Sequence, residues 1–184
     1  MRMKDKIGVY GSAFDPIHLG HIDCLRQVDG QYHTIIIVPS YKHAFGKDMT
    51  PFDLRLSMVE TAINSISDFK STLLISDVER KIAQDNVEKP VYTYDVLNYL
   101  EKELRNDQLE FIMGPDNAEP NQWEKFYKAD EIRSRWAIKV VEQRKNVRSS
   151  LVRAMVKEGN LSNNDENLIP LSVFKAIKKH CLYL

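Results

Sequence analysis

"KIGVYGSAFDPIHLGHIDCL", residues 6–25, joins an apolar run to a turn of small residues, a proline and two histidines three positions apart. The chain has only five histidines in 184 residues, so two of them around one glycine ask for a reason. Residues 6–11 read as a short strand. Gly11, Ser12 and Ala13 then permit a tight bend whose amides can approach an anion. Pro16 fixes the chain ahead of a helix, and His18 and His21 fall at i and i+3 on one face of its first turn. Gly20 carries no side chain, which leaves room for a flat ring or a phosphate against the backbone. A helix start favours negative charge. Two imidazoles pointing the same way add donors for charge that develops during a reaction. The pair is not read as a metal site, because two imidazoles alone do not make a ligand set.

Working outward, residues 34–40 (TIIIVPS) read as a second strand, its unbroken Ile35–Val38 run suited to a parallel strand covered on both faces. Further strands are expected at 72–76, 109–113 and 136–141. Helical patterns alternate with them. Thr50-Pro51 opens one as a cap and first-turn proline, with Leu54, Met58 and Ala62 on one face. Residues 93–104 form another, capped by Thr93, with Val96, Leu97, Leu100 and Leu104 as its stripe. Helices at 149–158 and 170–181 close the chain, the last presenting Leu171, Phe174, Ile177 and Cys181 on one face. This alternation predicts one α/β domain over residues 1–184, a doubly wound parallel sheet followed by C-terminal helices from about 149 onward. Ligands of such sheets bind beyond the carboxyl ends of the strands, where the opening turn lies.

Composition narrows the partners. Lys plus Arg and Asp plus Glu each number 26, and neither sign collects in a long block. That argues against bulk binding of nucleic acid or an anionic membrane. The start, MRMKDKIGVYGS, lacks the apolar core of a signal peptide, and no run approaches a membrane span. Cys24 and Cys181 are too few and too distant for a disulfide framework or a zinc site. A cytoplasmic protein is expected.

The stretch "GSAFDPIHLGH" resembles the signature of the HxGH nucleotidyltransferase superfamily. Within it the chain is most similar to nicotinate-mononucleotide adenylyltransferases, nearly end to end. "VPSYKHAFGKDMTPFDLRLSMVETAI" resembles that family's basic loop and "RxxM" helix. "SDVERKIAQDNVEKPVYTYDVLNYL" resembles "SDxE…PSYTxDTLxxL", "FIMGPDNAEPNQW" resembles "xxxGADxxxxxxxW", and "VRSSLVRAMVKEG…LIPLSVFKAIKKHCLY" resembles "ISSTxIRxxxxxG…LxPxxVxxYIxxxxLY". Three departures stand out. Pro115 replaces the family's alanine, Arg148 replaces a small polar residue, and "YKHAFGK" leaves the matching lysine as Lys42 or Lys47, Lys47 being favoured by its distance to the next helix.

The resemblance implies a Rossmann-like nucleotidyltransferase fold and transfer of AMP from ATP to nicotinate mononucleotide, with Mg2+ carried on the ATP phosphates. It implies that His18 and His21 contact the triphosphate, beside the amides of Gly11, Ser12, Ala13 and Phe14 and the bare backbone of Gly20. Ser149, Ser150 and Arg153 would hold the outer phosphates. Gly114 and Asp116 would meet the ATP ribose. Lys47 would touch phosphate, with Ser12 and Ala13 beside the acceptor. The neighbourhood of Thr93 would meet the nicotinate group, and Trp123 would stack on the pyridine ring. Arg148 either adds a second cation or points to solvent. Rival readings are preference for nicotinamide mononucleotide, a phosphopantetheine adenylyltransferase, and a catalytically inactive nucleotide-binding regulator. The second lacks segments resembling "PSYTxDTL" and the tryptophan element. The third is disfavoured by the intact histidines, Arg153 and loop lysine. Oligomeric state is not readable.

Overall fold

In the computed structural model, which describes residues 5–42, 48–85, 90–105 and 108–184, the Ile35–Val38 run alternates between two apolar layers. Ile35 and Ile37 join a cluster with Tyr10 and Ile112, while Ile36 and Val38 join Val9, Phe111 and Met113 on the other face. Successive side chains of a strand point to opposite faces, so an unbroken apolar run means that both are covered. Each side chain so buried contributes about 1.5–3 kcal/mol.

Five strands supply the sheet: β1 (Ile7–Ser12), β2 (Thr34–Pro39), β3 (Thr72–Ile75), β4 (Leu109–Met113) and β5 (Ala137–Val140). All pairings are parallel, in the order β3-β2-β1-β4-β5. The chain winds outward from β1 to β3 and then crosses back to β4. The strand order therefore reverses between β1 and β4, which opens a crevice at their carboxyl ends. Gly8 lets β1 sit there: a Cβ on it would come within 2.6 Å of Ile112 Cδ1.

The first cluster is covered by α1 (Leu19–Gln27), α2 (Phe52–Asn64), α8 (Ser149–Lys157) and α9 (Leu171–Lys179), through Leu25, Met58, Val59, Val152, Val173 and Ile177. The second is covered by α3 (Val78–Asp85), α4 (Thr93–Leu104) and α7 (Ala129–Arg135), through Val78, Val96, Leu97, Leu100 and Ile132. Two four-residue helices, α5 (Pro115–Ala118) and α6 (Pro120–Trp123), follow β4. No helix among the described residues is long and apolar enough to cross a membrane.

All five strands lie where the apolar runs placed them, to within a residue or so. Helix details differ. Thr93 is the first helical residue of α4, and Tyr92 stands at the cap, its N–H donating to Asp95 Oδ2 at 3.1 Å. Pro51, not Thr50, occupies the cap position of α2. On α9 the buried residues are Val173 and Ile177, whereas Leu171 is exposed. Cys181 lies beyond the helix with φ 49°, exposed, so it could not share the face expected of it. α3 and α7 were not anticipated, because "VERKIAQD" and "ADEIRSR" carry too few apolar residues to show a stripe.

Candidate active site

Two clefts open along the crevice and share one floor. The first, about 340 Å³, lies over α1 and the start of α8; the second, about 310 Å³, lies between β2, α4 and the segment after α6. Gly11, Ser12, Ala13 and Asn117 border both. The turn after β1 is thus the place where two ligands can meet.

The first cleft gathers most of the residues expected to bind ATP: Gly11, Ser12, Ala13, His18, Gly20, His21, Gly114, Ser149, Ser150 and Arg153. His18 caps α1 with its ring. His18 Nδ1 accepts from the backbone N–H of Gly20 at 3.1 Å and of His21 at 3.4 Å, and His21 Nδ1 accepts from His18 N–H at 3.2 Å. Leu19 N–H is taken by Leu168 O. The amides of the first turn, read from the sequence as open to an anion, are therefore engaged. The imidazoles stand in for them. With Nδ1 of each ring an acceptor, the neutral tautomer carries its proton on Nε2. Each ring thereby passes the positive helix end on to its Nε2–H.

Burial keeps the rings neutral. It lowers the His18 pKa from 6.5 to about 4, against a backbone hydrogen bond that raises it. Burial also pushes His21 well below 6.5, with the neighbouring His18 charge acting in the same direction. The rings stack with centroids 3.7 Å apart, which two imidazolium ions would oppose. His21 Nε2 lies 3.2 Å from Ser12 Oγ, tying the pair to the shared floor. Gly20 serves this arrangement rather than a ligand ring: a Cβ there would lie 3.0 Å from the His18 imidazole and 3.3 Å from Val147.

Phe14 borders neither cleft with its side chain. It is fully buried, edge-on to Tyr10 and His21, with φ 48° in the left-handed region. A non-glycine residue holds that conformation only where its surroundings fix it. Asp15, next in the chain, is buried. Its carbonyl accepts from Arg153 Nη1 at 2.6 Å, and its Oδ2 accepts from Thr50 N–H at 3.3 Å. Ser149 Oγ donates to Pro16 O at 2.9 Å, so the N-terminus of α8 is pinned to the same turn. Exposed Arg144 and Lys145 also border this cleft; the sequence reading missed them because nothing in "EQRKN" marks a loop cation as facing a ligand.

The second cleft is lined by Ser40, Lys42, Glu79, Tyr92, Thr93, Phe126 and Tyr127. Burial raises the Glu79 pKa from 4.5 to about 8, opposed by the Tyr41 N–H on Oε2 at 2.8 Å and by Arg55. Trp123, expected to stack on an acceptor ring, is not part of the lining. It is buried behind Phe126, stacked with centroids 4.9 Å apart, and its Nε1 has no hydrogen-bond partner among the described residues. Phe126 is the ring between Trp123 and the cleft. Lys47 lies outside the described residues, as does the Asp116 carboxylate; the Asp116 backbone belongs to α5.

Residues 9–155 match the cytidylyltransferase-like family. A nicotinate-nucleotide adenylyltransferase of Bacillus subtilis is 36% identical over 69% of this chain and 64% of its own length. A probable nicotinate-nucleotide adenylyltransferase of Dehalococcoides mccartyi is 30% identical over 97% of both chains. Among solved structures, a putative nicotinate-nucleotide adenylyltransferase of Vibrio parahaemolyticus superposes with TM-score 0.79 at 25% identity, covering 97% of this chain and 94% of that one. The Plasmodium falciparum nicotinic acid mononucleotide adenylyltransferase complexed with NaAD does so with TM-score 0.77 at 22% identity, covering 97% of both, a likeness of fold.

Proposed function

The chain belongs to the cytidylyltransferase-like family, and from that premise we propose that it transfers AMP from ATP to nicotinate mononucleotide, giving deamido-NAD and pyrophosphate. A phosphate oxygen of the mononucleotide forms the new bond to the α-phosphorus of ATP. The bond from that phosphorus to the oxygen bridging to the β-phosphate breaks, and pyrophosphate leaves with the electron pair. The acceptor phosphate is already a nucleophile, so the protein's work is positioning and charge stabilisation.

The supporting observation is two clefts that share the Gly11–Ala13 floor, one of them lined by a stacked histidine pair. ATP fits the first, its triphosphate against His18, His21 and the start of α8, with Arg153 on the outer phosphates. The mononucleotide fits the second, its phosphate near Ser12, Ala13 and Lys42 and its ring between Thr93 and Phe126. A divalent cation, Mg2+ in this proposal, belongs with the nucleotide: no three His, Cys, Asp or Glu side chains among the described residues gather at one point, so phosphate oxygens and water would hold it. Bound there, it neutralises phosphate charge.

The test is pyrophosphate release from ATP with nicotinate or nicotinamide mononucleotide in parallel. Release with the acid, faster than with the amide, is expected. No release with either removes the proposal; release with the amide alone changes the acceptor.

A further inference from the structure

Among the described residues Arg55 is the largest of the fully buried side chains, 1% exposed, and all three nitrogens of its guanidinium donate to backbone. Nη1 donates to Ala13 O at 2.6 Å, Nε to Thr50 O at 2.7 Å and Nη2 to Tyr41 O at 3.4 Å. Two of these residues are gripped from both sides. Tyr41 N–H donates to Glu79 and Thr50 N–H to Asp15, so each gives its N–H to a buried carboxyl and its C=O to Arg55. A buried guanidinium is costly to hold, and this one ties the β1–α1 turn at Ala13 to the two ends of the β2–α2 connection at Tyr41 and Thr50.

We propose that Arg55 is a positioning residue for group transfer, orienting the Ala13–Phe14 peptide so that its N–H faces the point where the two clefts meet. The inference rests on the adenylyl-transfer reading above. In a trans peptide the C=O and N–H point in opposite directions. With Ala13 O drawn inward to Arg55, the Phe14 N–H faces the side on which Ala13 borders both clefts. The left-handed Phe14 that follows gives the concave backbone typical of anion-holding turns. A donor at that point meets the transferring phosphoryl group in the bound state and more strongly as charge develops on it, so its loss acts mainly on kcat. Through Tyr41 O the same guanidinium also sets the base from which Lys42 reaches the second cleft.

Lysine keeps the charge of Arg55 but not three divergent donors. Arg55→Lys is expected to lower kcat by about tenfold or more, raise KM for the mononucleotide a few-fold and leave KM for ATP within about twofold. A folded variant with kcat within about threefold of wild type overturns the proposal, as does a loss confined to KM for ATP. A second measurement needs no variant. In ¹⁵N-labelled wild-type protein, added AMP, whose phosphate is the group transferred, is expected to shift the Phe14 amide resonance more than those of α4, and an unmoved Phe14 overturns the proposal even if Arg55→Lys fails to fold. Wild-type turnover tests the underlying reaction separately: its absence removes adenylyl transfer, while the Phe14 response still reports the peptide's orientation.

Discussion

The Tyr183 hydroxyl donates to Asp15 Oδ1 at 2.8 Å, joining residues 168 positions apart. Cys181 and Tyr183 both hold left-handed backbone, φ 49° and 65°, to bring the ring back over the first turn. Asp15 in turn anchors Arg153 through its carbonyl. The segment after α9 is therefore a brace for the first cleft, whose wall includes Asp15.

Tyr183→Phe keeps the ring and removes that bond. A hydrogen bond to a charged group contributes about 1.5–3 kcal/mol, so urea unfolding should show a loss on this scale. KM for ATP should rise while KM for the mononucleotide stays level, because Arg153 borders only the first cleft. Equal rises in both would mean that the tyrosine supports the core alone.

Three buried groups set opposing slopes of stability against pH. Between about 4.5 and 6.5, His18 and His21 are protonated only in the unfolded chain, while Glu79 is protonated only in the folded one. Two groups that lose protons on folding then outweigh one that gains a proton, so stability from these groups rises with pH. Above 6.5 the histidines drop out. Glu79 alone remains, and stability falls until its folded pKa of about 8 is passed. A maximum near pH 6.5 is expected in unfolding experiments, and Glu79→Gln should flatten the alkaline side. A fall on that side unchanged in Glu79→Gln would remove Glu79 from the account.

His21→Ala removes an Nε2–H donor and the ring that accepts the His18 amide. Turnover should drop by about 10²–10³, the scale of losing one preorganised donor. The fold should persist, since the first turn of a helix tolerates alanine. Near-normal turnover would show that the pair is only a cap.

How much of this was legible depended on how locally each feature is encoded. The strand–turn–helix of residues 6–25 could be read because apolar run, small turn and histidine spacing are all short-range signals. The relay of the α1 amides through Nδ1 could not, because it depends on ring rotamers. Asp15 and Arg55 were passed over for a related reason. Their partners, Tyr183, Thr50, Ala13 and Tyr41, are brought close only by the folded loops. α3 and α7 left no stripe to read, while α4 was legible from Val96, Leu97 and Leu100, although Leu104, read on the same stripe, is exposed and Tyr92 rather than Thr93 stands at the cap.

Trp123 and Phe126 divide what the sequence assigned to one ring. Phe126→Ala should weaken mononucleotide binding by about 1–3 kcal/mol, the range for a base on an aromatic face, and leave ATP binding unchanged. Trp123→Ala opens a cavity behind it and should cost about 3–5 kcal/mol of stability. Calorimetric titration of each substrate, with unfolding curves, separates the two. If Trp123→Ala binds the acceptor worse than Phe126→Ala while equally stable, the tryptophan itself reaches the ring.

Arg153 and Arg148 stand at the same end of α8, and their roles should be unequal. Arg153 lies one turn inside, half-buried on the wall of the first cleft, with Nη1 donating to Asp15 O, which gives the guanidinium a fixed base there. Lysine would keep the charge but lose the fork that both grips that carbonyl and meets phosphate oxygens. Arg148 is exposed at the cap position, also on the cleft wall, on a backbone that any polar residue could adopt. Arg153→Lys is therefore expected to raise KM for ATP more than Arg148→Ser does, both proteins remaining folded. Steady-state kinetics in ATP, at saturating mononucleotide with magnesium in excess, decides it. Should Arg148→Ser be the more damaging change, the outer phosphates are held by the cap residue. The Arg153–Asp15 contact would then be a structural tie between α8 and the first turn.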